Sequence, residues 1–462
     1  MSQLPSITIA GIVLAAGKGT RMKSDLPKVL HPLCGAPLAQ FVLNALAIAG
    51  VKRPVVVVGH RADLVEETLG ERNEYVLQEP QLGTGHAVMQ AAPLLSNFTG
   101  PIIIAPGDAP LVTGDVLSEL VETHIKSSAS CTLATCVVDN PFGYGRVIRD
   151  KAGAVIRIVE QKDATDEQKK IKEINTSFYC FDAKALFETL PKLTNKNAQS
   201  EYYLTDVVAA LASTGQKVCG FEVADSELLI GVNSRWELAQ AAQVMRTRIA
   251  KKLAEDGVTI IDPQTTYIDF GVEVGIDTII QPMTILEGKT KIGGECTIGP
   301  FSRIIDSVIG DRVRFQNSTA NGAYIEDEVR VGPFANLRNG AVLRTRSSVG
   351  DFVEIKNSEL GPKVAAGHLS YIGDSFIGEG TNIGAGTITC NYDGKRKHRT
   401  KIGKRVFIGS NTTLVAPVEV GDDVVIAAGS TITDDIPEES LGIARSRQII
   451  KEGWTKKWHN QD

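Results

Sequence analysis

From Val274 onward the chain repeats on a period of six. Val274, Ile280, Leu286, Ile292, Ile298 and Ile304 form one unbroken series, and Ile402, Ile408, Leu414, Val420, Ile426 and Ile432 form a second. Ile377, Ile383 and Thr389 continue the pattern with one polar substitution, and a small residue often follows the aliphatic one, as in Ile292-Gly293, Ile298-Gly299, Ile377-Gly378 and Ile408-Gly409. Helices repeat every 3.6 residues and strands every two, so this period fits neither a helix nor a hairpin array. It fits a parallel β-helix, in which each hexad forms one face and its aliphatic residue points inward. Such a coil buries its core only by stacking on its neighbours. A chance run of aliphatics in a β-sandwich is the alternative, and two series in strict register argue against it. The register slips near residues 305 to 331, and the stretch Cys390 to Lys401 breaks it outright. An interruption of this kind marks an extruded loop, where function concentrates.

Residues 1 to 232 follow another rule. Short apolar runs, Ile12-Val13-Leu14, Val55 to Val58 and Ile102-Ile103-Ile104, alternate with helix-like segments such as Leu38 to Ala49 and Gly85 to Leu95. Buried parallel strands read this way. The alternation predicts a Rossmann-like α/β domain with a mainly parallel sheet, whose ligands sit outside the carboxyl ends of the strands. A long helix over 233–256 is expected to join it to the β-helix domain, 257–462. Ser234 and Glu237 have capping-box spacing, Leu238, Ala242, Met245, Ile249 and Leu253 form one apolar stripe, and Gly257 supplies a stop.

The 462 residues suit more than one core, and a net charge of −5 gives no general pull towards nucleic acid or anionic membrane. A basic phosphate site must therefore be local. Met1 to Ala10 lacks a basic stretch followed by a long apolar one, and no run approaches the ~20 apolar residues of a membrane helix. Seven scattered cysteines without a Cys-x-x-Cys pair argue for a reducing cytosol rather than a disulfide scaffold or a zinc site.

Three strings in the first half carry chemistry. Leu14-Ala15-Ala16-Gly17-Lys18-Gly19-Thr20-Arg21-Met22 follows the first apolar run, with Pro27-Lys28 beyond it. Gly17 and Gly19 let backbone N–H groups approach an anion, and Arg21 and Lys28 can neutralise a triphosphate. Met22 replaces the third glycine of a dinucleotide fingerprint, and no Walker A pattern is present. Gln78 and Gln81-Leu82-Gly83-Thr84-Gly85 form the second string. On its own Gln78 reads as a solvated polar residue. Gly107-Asp108, after the Ile102 to Ile104 run, is the third, and an Asp at a strand's carboxyl end can hold Mg²⁺ beside phosphates. Asn233 on its own reads as part of a helix start.

In the second half, Arg338 and Lys356 lie 18 residues apart, so three hexads stack them on one corner of adjacent coils. Two stacked cations make a phosphate site, with solvated surface as the plainer alternative. His368 lies on another face. Histidine exchanges a proton near neutral pH and can serve as a general base, although a lone histidine is more often structural.

The first string with Pro27-Lys28 is the signature of the sugar nucleotidyltransferases. The whole chain, from that loop to Lys451-Glu452-Gly453-Trp454, resembles the bacterial bifunctional N-acetylglucosamine-1-phosphate uridylyltransferases/glucosamine-1-phosphate acetyltransferases. Gly367-His368-Leu369-Ser370-Tyr371 and Thr389-Cys390-Asn391-Tyr392-Asp393-Gly394 are strings specific to that family. The resemblance implies a left-handed hexapeptide-repeat β-helix, an exception to the usual right-handed crossover. It implies UTP and UDP-N-acetylglucosamine binding by Leu14, Ala15, Ala16, Gly17, Arg21, Lys28, Gln78, Gly83, Thr84, Asp108, Gly145, Glu160, Asn175 and Asn233, with Mg²⁺ on Asp108 and Asn233. For acetyl transfer it implies His368 as the base, oriented by Glu354. Arg338, Lys356, Tyr371, Asn382 and Lys397 would hold glucosamine-1-phosphate, and Ala385, Asn391, Tyr392, Ser410, Ala428 and Arg445 would hold acetyl-CoA. It further implies a cytoplasmic homotrimer whose acetyl sites lie between chains, and a product that feeds cell-wall and lipopolysaccharide synthesis. Two rivals remain: a nucleotidyltransferase whose β-helix only oligomerises, and a non-enzymatic scaffold.

Overall fold

A computed structural model describes residues 7–459; the first six residues of the Met1 to Ala10 segment lie outside that range. The chain divides into two compact units, Met1–Met245 and Arg246–Asp462.

The first unit is built on a mixed sheet. Its strands run in the order Val218–Glu222, Cys131–Val137, Glu173–Asp182, Pro101–Pro106, Ala10–Leu14, Val55–Val58 and Glu74–Leu77. The central pairs are parallel, with Ile12 beside Val55 and beside Ile104. Glu173–Asp182 alone on this path runs against both neighbours. Val55–Val58 is buried throughout, as expected of a strand covered on both faces. Helices Leu38–Ile48 and Gly114–Ser127 contribute to the hydrophobic core on one side of the sheet, and Thr84–Ala91, Ala183–Thr189 and Thr205–Ser213 to that on the other. The apolar runs singled out in the sequence are thus the three adjacent strands at the sheet's centre, and their carboxyl ends open on the same edge.

The helix Arg235–Glu255 begins with the reciprocal cap its sequence predicts. Ser234 Oγ accepts the Glu237 N–H at 3.2 Å, and Glu237 Oε2 accepts the Ser234 N–H at 3.0 Å. At the other end Gly257 adopts φ +96°, a left-handed conformation that suits glycine, and its N–H bonds the Ala254 carbonyl.

The second unit is a parallel β-helix. Its described strands form three long sheets, each recruiting every third strand of the chain up to the last strand, Leu441–Gly442, so each full coil contributes one strand to each face. Ile280, Leu286, Ile298, Ile304, Ile408, Leu414 and Ile426 are all fully buried, and the hexad aliphatics line a single continuous core. This is the left-handed hexapeptide-repeat architecture.

The structure explains why the period falters. Inward residues are five apart at Ile304–Ile309, Phe315–Ala320 and Ala320–Ile325, so corresponding residues of adjacent coils, such as Ile304 and Ala320, are 16 residues apart. Five-residue steps recur at Ile355–Leu360 and Ile372–Ile377. Each shortens a corner by one residue without turning a side chain outward. Four of the five steps use one corner, where Asp306, Gly322, Asn357 and Asp374 take left-handed backbone. Asp and Asn tolerate that conformation better than most residues.

Thr389 is the polar member of the series and is buried. Its hydroxyl accepts the Gly373 N–H at 2.8 Å and lies 3.2 Å from the Gly373 carbonyl. The next inward aliphatic is Ile402, and the intervening chain forms a small hairpin closed by the Tyr392–Lys397 bridge.

Candidate active sites

In the first unit, strand Ala10–Leu14 delivers the glycine loop. Gly19 has φ +62°, and a Cβ there would stand 2.6 Å from Lys28 Cβ, so glycine lets the basic residue close over the loop. Nothing lies within 4 Å of a Cβ built on Gly17, which leaves the approach to that backbone open. Met22, in place of a third glycine, is buried and anchors the turn Thr20–Met22.

Four residues distant in sequence converge beside the loop. Lys28 Nζ forms an ion pair with Asp108 Oδ2 and donates to Asn233 Oδ1 at 3.0 Å, while Arg21 donates to the same oxygen at 2.8 Å. The Val232 N–H bonds the Asp108 carbonyl, tying the residues before the long helix to the end of strand Pro101–Pro106. Two hard oxygens, from Asp108 and Asn233, thus already converge on one cation, the Lys28 ammonium. That donor set fits Mg²⁺, which takes one or two protein oxygens and completes its shell with phosphate and water. No group of three or more His, Cys, Asp or Glu suited to a metal occurs among the described residues.

Gln78 is only 5% exposed, which overturns its reading as a solvated residue. Its amide donates to the Gly83 carbonyl at 2.9 Å and approaches His86 Nδ1 at 3.2 Å. Gly83 has φ +103°, and a Cβ there would meet the Tyr202 carbonyl at 2.7 Å. The Thr84 hydroxyl accepts the Leu204 N–H at 3.1 Å, and Gln81 donates to the Ala16 carbonyl at 2.7 Å. Lys18, Gly59, Gln78 and Gln81 line an open cavity of about 350 Å³ at this edge.

Gly145, Glu160 and Asn175 form a second group. Gly145 pairs with Asn175, and a Cβ on Gly145 would lie 3.4 Å from Glu160 Oε1. Asn175 donates to the Tyr179 hydroxyl at 2.7 Å. Burial pushes the Glu160 carboxyl above its ordinary range, against the hydrogen bond from Thr205.

In the second unit the register sets Leu337 beside Ile355, so Arg338 and Lys356 follow on adjacent coils. Lys397 reaches the same place from the extruded hairpin. Contact with Lys397, then the charges of Lys397 and Arg338, lower the pKa of Lys356. Three cations therefore crowd one solvent-facing spot, a ready cradle for a dianionic phosphate.

Tyr371 pairs in register with Glu354 on the same face. His368 and Asn382 lie on the neighbouring face. Within one chain Glu354 Oε1 accepts from Arg338 at 2.7 Å, and the carboxylate facing His368 Nδ1 is Asp351, at 3.7 Å. Glu354 and His368 belong to different faces, whereas Asp351 and His368 are register partners. Sequence reasoning missed Asp351; its 17-residue offset from His368, one short coil, is the signal that could have found it.

Ala385, Ser410, Ala428 and Arg445 stack along one corner of successive coils. The Asn411 N–H bonds the Ala385 carbonyl, the Gly429 N–H bonds the Ser410 carbonyl, and Arg445 donates to the Ala428 carbonyl at 3.0 Å. The column rises beside His368 and Asn382. Asn391 is buried against Asp374 at the hairpin's base, and Tyr392 stands exposed with its hydroxyl on the Gly394 carbonyl. The Asp393 carboxyl accepts the Arg396 N–H, the His398 ring and the Lys395 N–H, which hold it well below the usual range and stiffen the tip.

A phosphate-directed α/β unit followed by a hexapeptide-repeat coil defines a two-domain transferase. Residues 10–237 match the nucleotidyl transferase family, and residues 399–434 match the bacterial transferase hexapeptide family of six repeats. The bifunctional protein GlmU of Carboxydothermus hydrogenoformans is 52% identical over 96% of this chain and 100% of its own length. The protein of the same name from Heliobacterium modesticaldum is 52% identical over 97% of this chain and 98% of its own. That of Streptococcus agalactiae is 46% identical over 96% and 97%. The chain belongs to the GlmU family of bifunctional proteins and is a bifunctional transferase.

Proposed function

We propose that each unit houses one step of UDP-N-acetylglucosamine synthesis. The β-helix acetylates glucosamine-1-phosphate with acetyl-CoA, and the α/β unit then transfers UMP from UTP to the N-acetylglucosamine-1-phosphate so formed, releasing pyrophosphate. The observation that carries this reading is the presence of two phosphate-directed assemblies of different design. One is Arg21, Lys28, Asp108 and Asn233; the other is Arg338, Lys356 and Lys397.

In uridylyl transfer the sugar phosphate oxygen attacks the α-phosphorus of UTP in line, and pyrophosphate leaves. No covalent nucleophile on the protein is needed, so the residues position and neutralise. Gly17 and Gly19 bring backbone N–H groups to the phosphates, and Arg21 and Lys28 balance their charge. Gln78, Gly83 and Thr84 hold the uracil; Gly145, Glu160 and Asn175 hold the sugar. Asp108 and Asn233 would hold Mg²⁺, which supplies charge neutralisation at the phosphates when bound.

In acetyl transfer His368 takes a proton from the sugar amine as nitrogen attacks the thioester carbonyl, and coenzyme A leaves as the thiol. A general base of this kind contributes roughly 10²–10⁴-fold. Arg338, Lys356 and Lys397 hold the sugar phosphate, and Tyr371 and Asn382 hold the sugar. The Ala385–Ser410–Ala428–Arg445 corner, with Asn391 and Tyr392, takes acetyl-CoA.

The protein acts as a homotrimer in the cytoplasm, and its product supplies cell-wall and lipopolysaccharide synthesis. Exposed Met283, Phe301, Phe334, Phe352 and Leu369 follow one edge of the prism, with Phe334 and Phe352 stacked at 5.3 Å, an apolar ridge suited to a second copy. Hexapeptide β-helices commonly trimerise. Scattered cysteines suit a reducing compartment, and no described helix is long and apolar enough to cross a membrane.

A coupled assay with glucosamine-1-phosphate, acetyl-CoA, UTP and Mg²⁺, following thiol and pyrophosphate separately, tests the reading. Both products should appear, with pyrophosphate dependent on acetyl-CoA. Pyrophosphate only from added N-acetylglucosamine-1-phosphate, with no thiol, would make the β-helix a structural arm.

A further inference from the structure

Among the described residues of the second unit, Asp374 is the one buried carboxylate, at 8% exposure. It occupies the tight corner, with φ +50°, and its neighbours in that column are Asn357 on the coil before and Asn391 on the coil after. Both carboxylate oxygens are used. Oδ1 accepts the Asn357 amide and Oδ2 the Asn391 amide, each at 2.5 Å. Lys397 Nζ stands 3.7 Å from Oδ2. The main chain adds two bonds, from the Asp374 N–H to the Lys356 carbonyl and from the Thr400 N–H to the Asp374 carbonyl. Burial alone would push this carboxyl up; the hydrogen bonds from Asn357 and Asn391, with the charges of Lys397 and Lys356, outweigh it and hold the pKa below its ordinary range.

The hairpin leaves the coil at Asn391 and returns at Thr400, so Asp374 grips both of its roots. The same carboxylate lies under Lys356 and Lys397, two cations that repel each other. A single buried anion therefore fixes the loop's base and offsets the charge that would drive Lys397 away from Lys356.

We infer that Asp374 is a positioning residue for acetyl transfer, holding Asn391 and Lys397 of the extruded hairpin in their working places without touching substrate. This rests on the acetyl-site reading above. An asparagine at 374 keeps the shape but offers one acceptor to two amide donors and no charge to Lys397. A misplacement of about 1 Å in a positioning group can cost about 10²-fold in rate.

The test is a set of full-length variants assayed for both reactions. D374N should lower kcat/KM for acetyl transfer about 10²-fold, chiefly through a raised KM for glucosamine-1-phosphate, and leave uridylyl transfer unchanged. In an N391A/K397A background, D374N should have little further effect, because its action runs through those two side chains. A loss in that background as large as in the wild type would overturn the inference and make Asp374 a general prop of the coil, as would wild-type acetyl transfer by D374N. If N391A/K397A itself transferred acetyl normally, the assignment of these residues to the acetyl site would fall, and the inference with it.

Discussion

Thr389 offers a test in which the residue the repeat asks for is the wrong one. The inward positions of this coil want an aliphatic, and valine matches threonine in shape, so T389V completes the series Ile377, Ile383 and position 389. The structure predicts that it destabilises. Thr389 is 2% exposed, and its hydroxyl accepts the N–H of buried Gly373 at 2.8 Å. That bond stands in where the coil is about to leave register for the hairpin. Valine would leave the Gly373 N–H buried without a partner, at a cost of about 1–3 kcal/mol. Removing the hydroxyl from the core returns part of this, so a net loss of about 1–2 kcal/mol is expected. T389S keeps the acceptor and loses only a methyl, about 0.8 kcal/mol. Urea unfolding of full-length protein, followed through the β-helix transition, gives the ranking, and hydrogen exchange at Gly373 reports the lost bond directly. T389V as stable as the wild type, with Gly373 still protected, would refute the reasoning.

Other consequences are more direct. His124 is buried against the Thr132 hydroxyl, and burial lowers its pKa, so the folded first unit disfavours its charged form. Unfolded chains bind that proton below about pH 6.5, so the group subtracts stability as pH falls through that value. H124Q should flatten the loss in melting temperature between about pH 7 and pH 5; an unchanged slope would contradict the assignment. If the proposed trimer packs on the apolar ridge, F334S/F352S should shift the protein towards monomer in sedimentation and lower acetyl transfer with it; an oligomeric state unchanged from the wild type would remove the ridge from the interface. Lys28→Ala should reduce uridylyl transfer by about 10²-fold or more while leaving acetyl transfer intact, which separate pyrophosphate and thiol assays would resolve.

The sequence carried the architecture where its period was clean. The two six-membered aliphatic series are the inward residues of the coils, and the reciprocal cap at Ser234 and Glu237 forms as its spacing requires. Between residues 343 and 377 the same architecture was hidden. Leu343, Val349, Ile355, Leu360, Ala366 and Ile372 are all buried, but five-residue corners interrupt the count, and a fixed window of six loses step at each one. Side chains defined by a corner or by charge balance were harder still. Gln78 looked solvated because nothing local reveals that the Gly83 carbonyl folds back onto it. Glu354 was paired with His368 through the family resemblance alone; within one chain the two lie on different faces, and Glu354 accepts from Arg338. Asp374 drew no notice because its two amide partners lie one short coil away on either side.

On the proposed function, the two reactions use separate sites in separate units. The most direct measurement assays purified H368A and D108A for both half-reactions, with folding and oligomeric state checked in parallel. H368A should abolish thiol release and retain uridylyl transfer, and D108A should do the reverse. Loss of both activities in either folded variant would contradict independent sites.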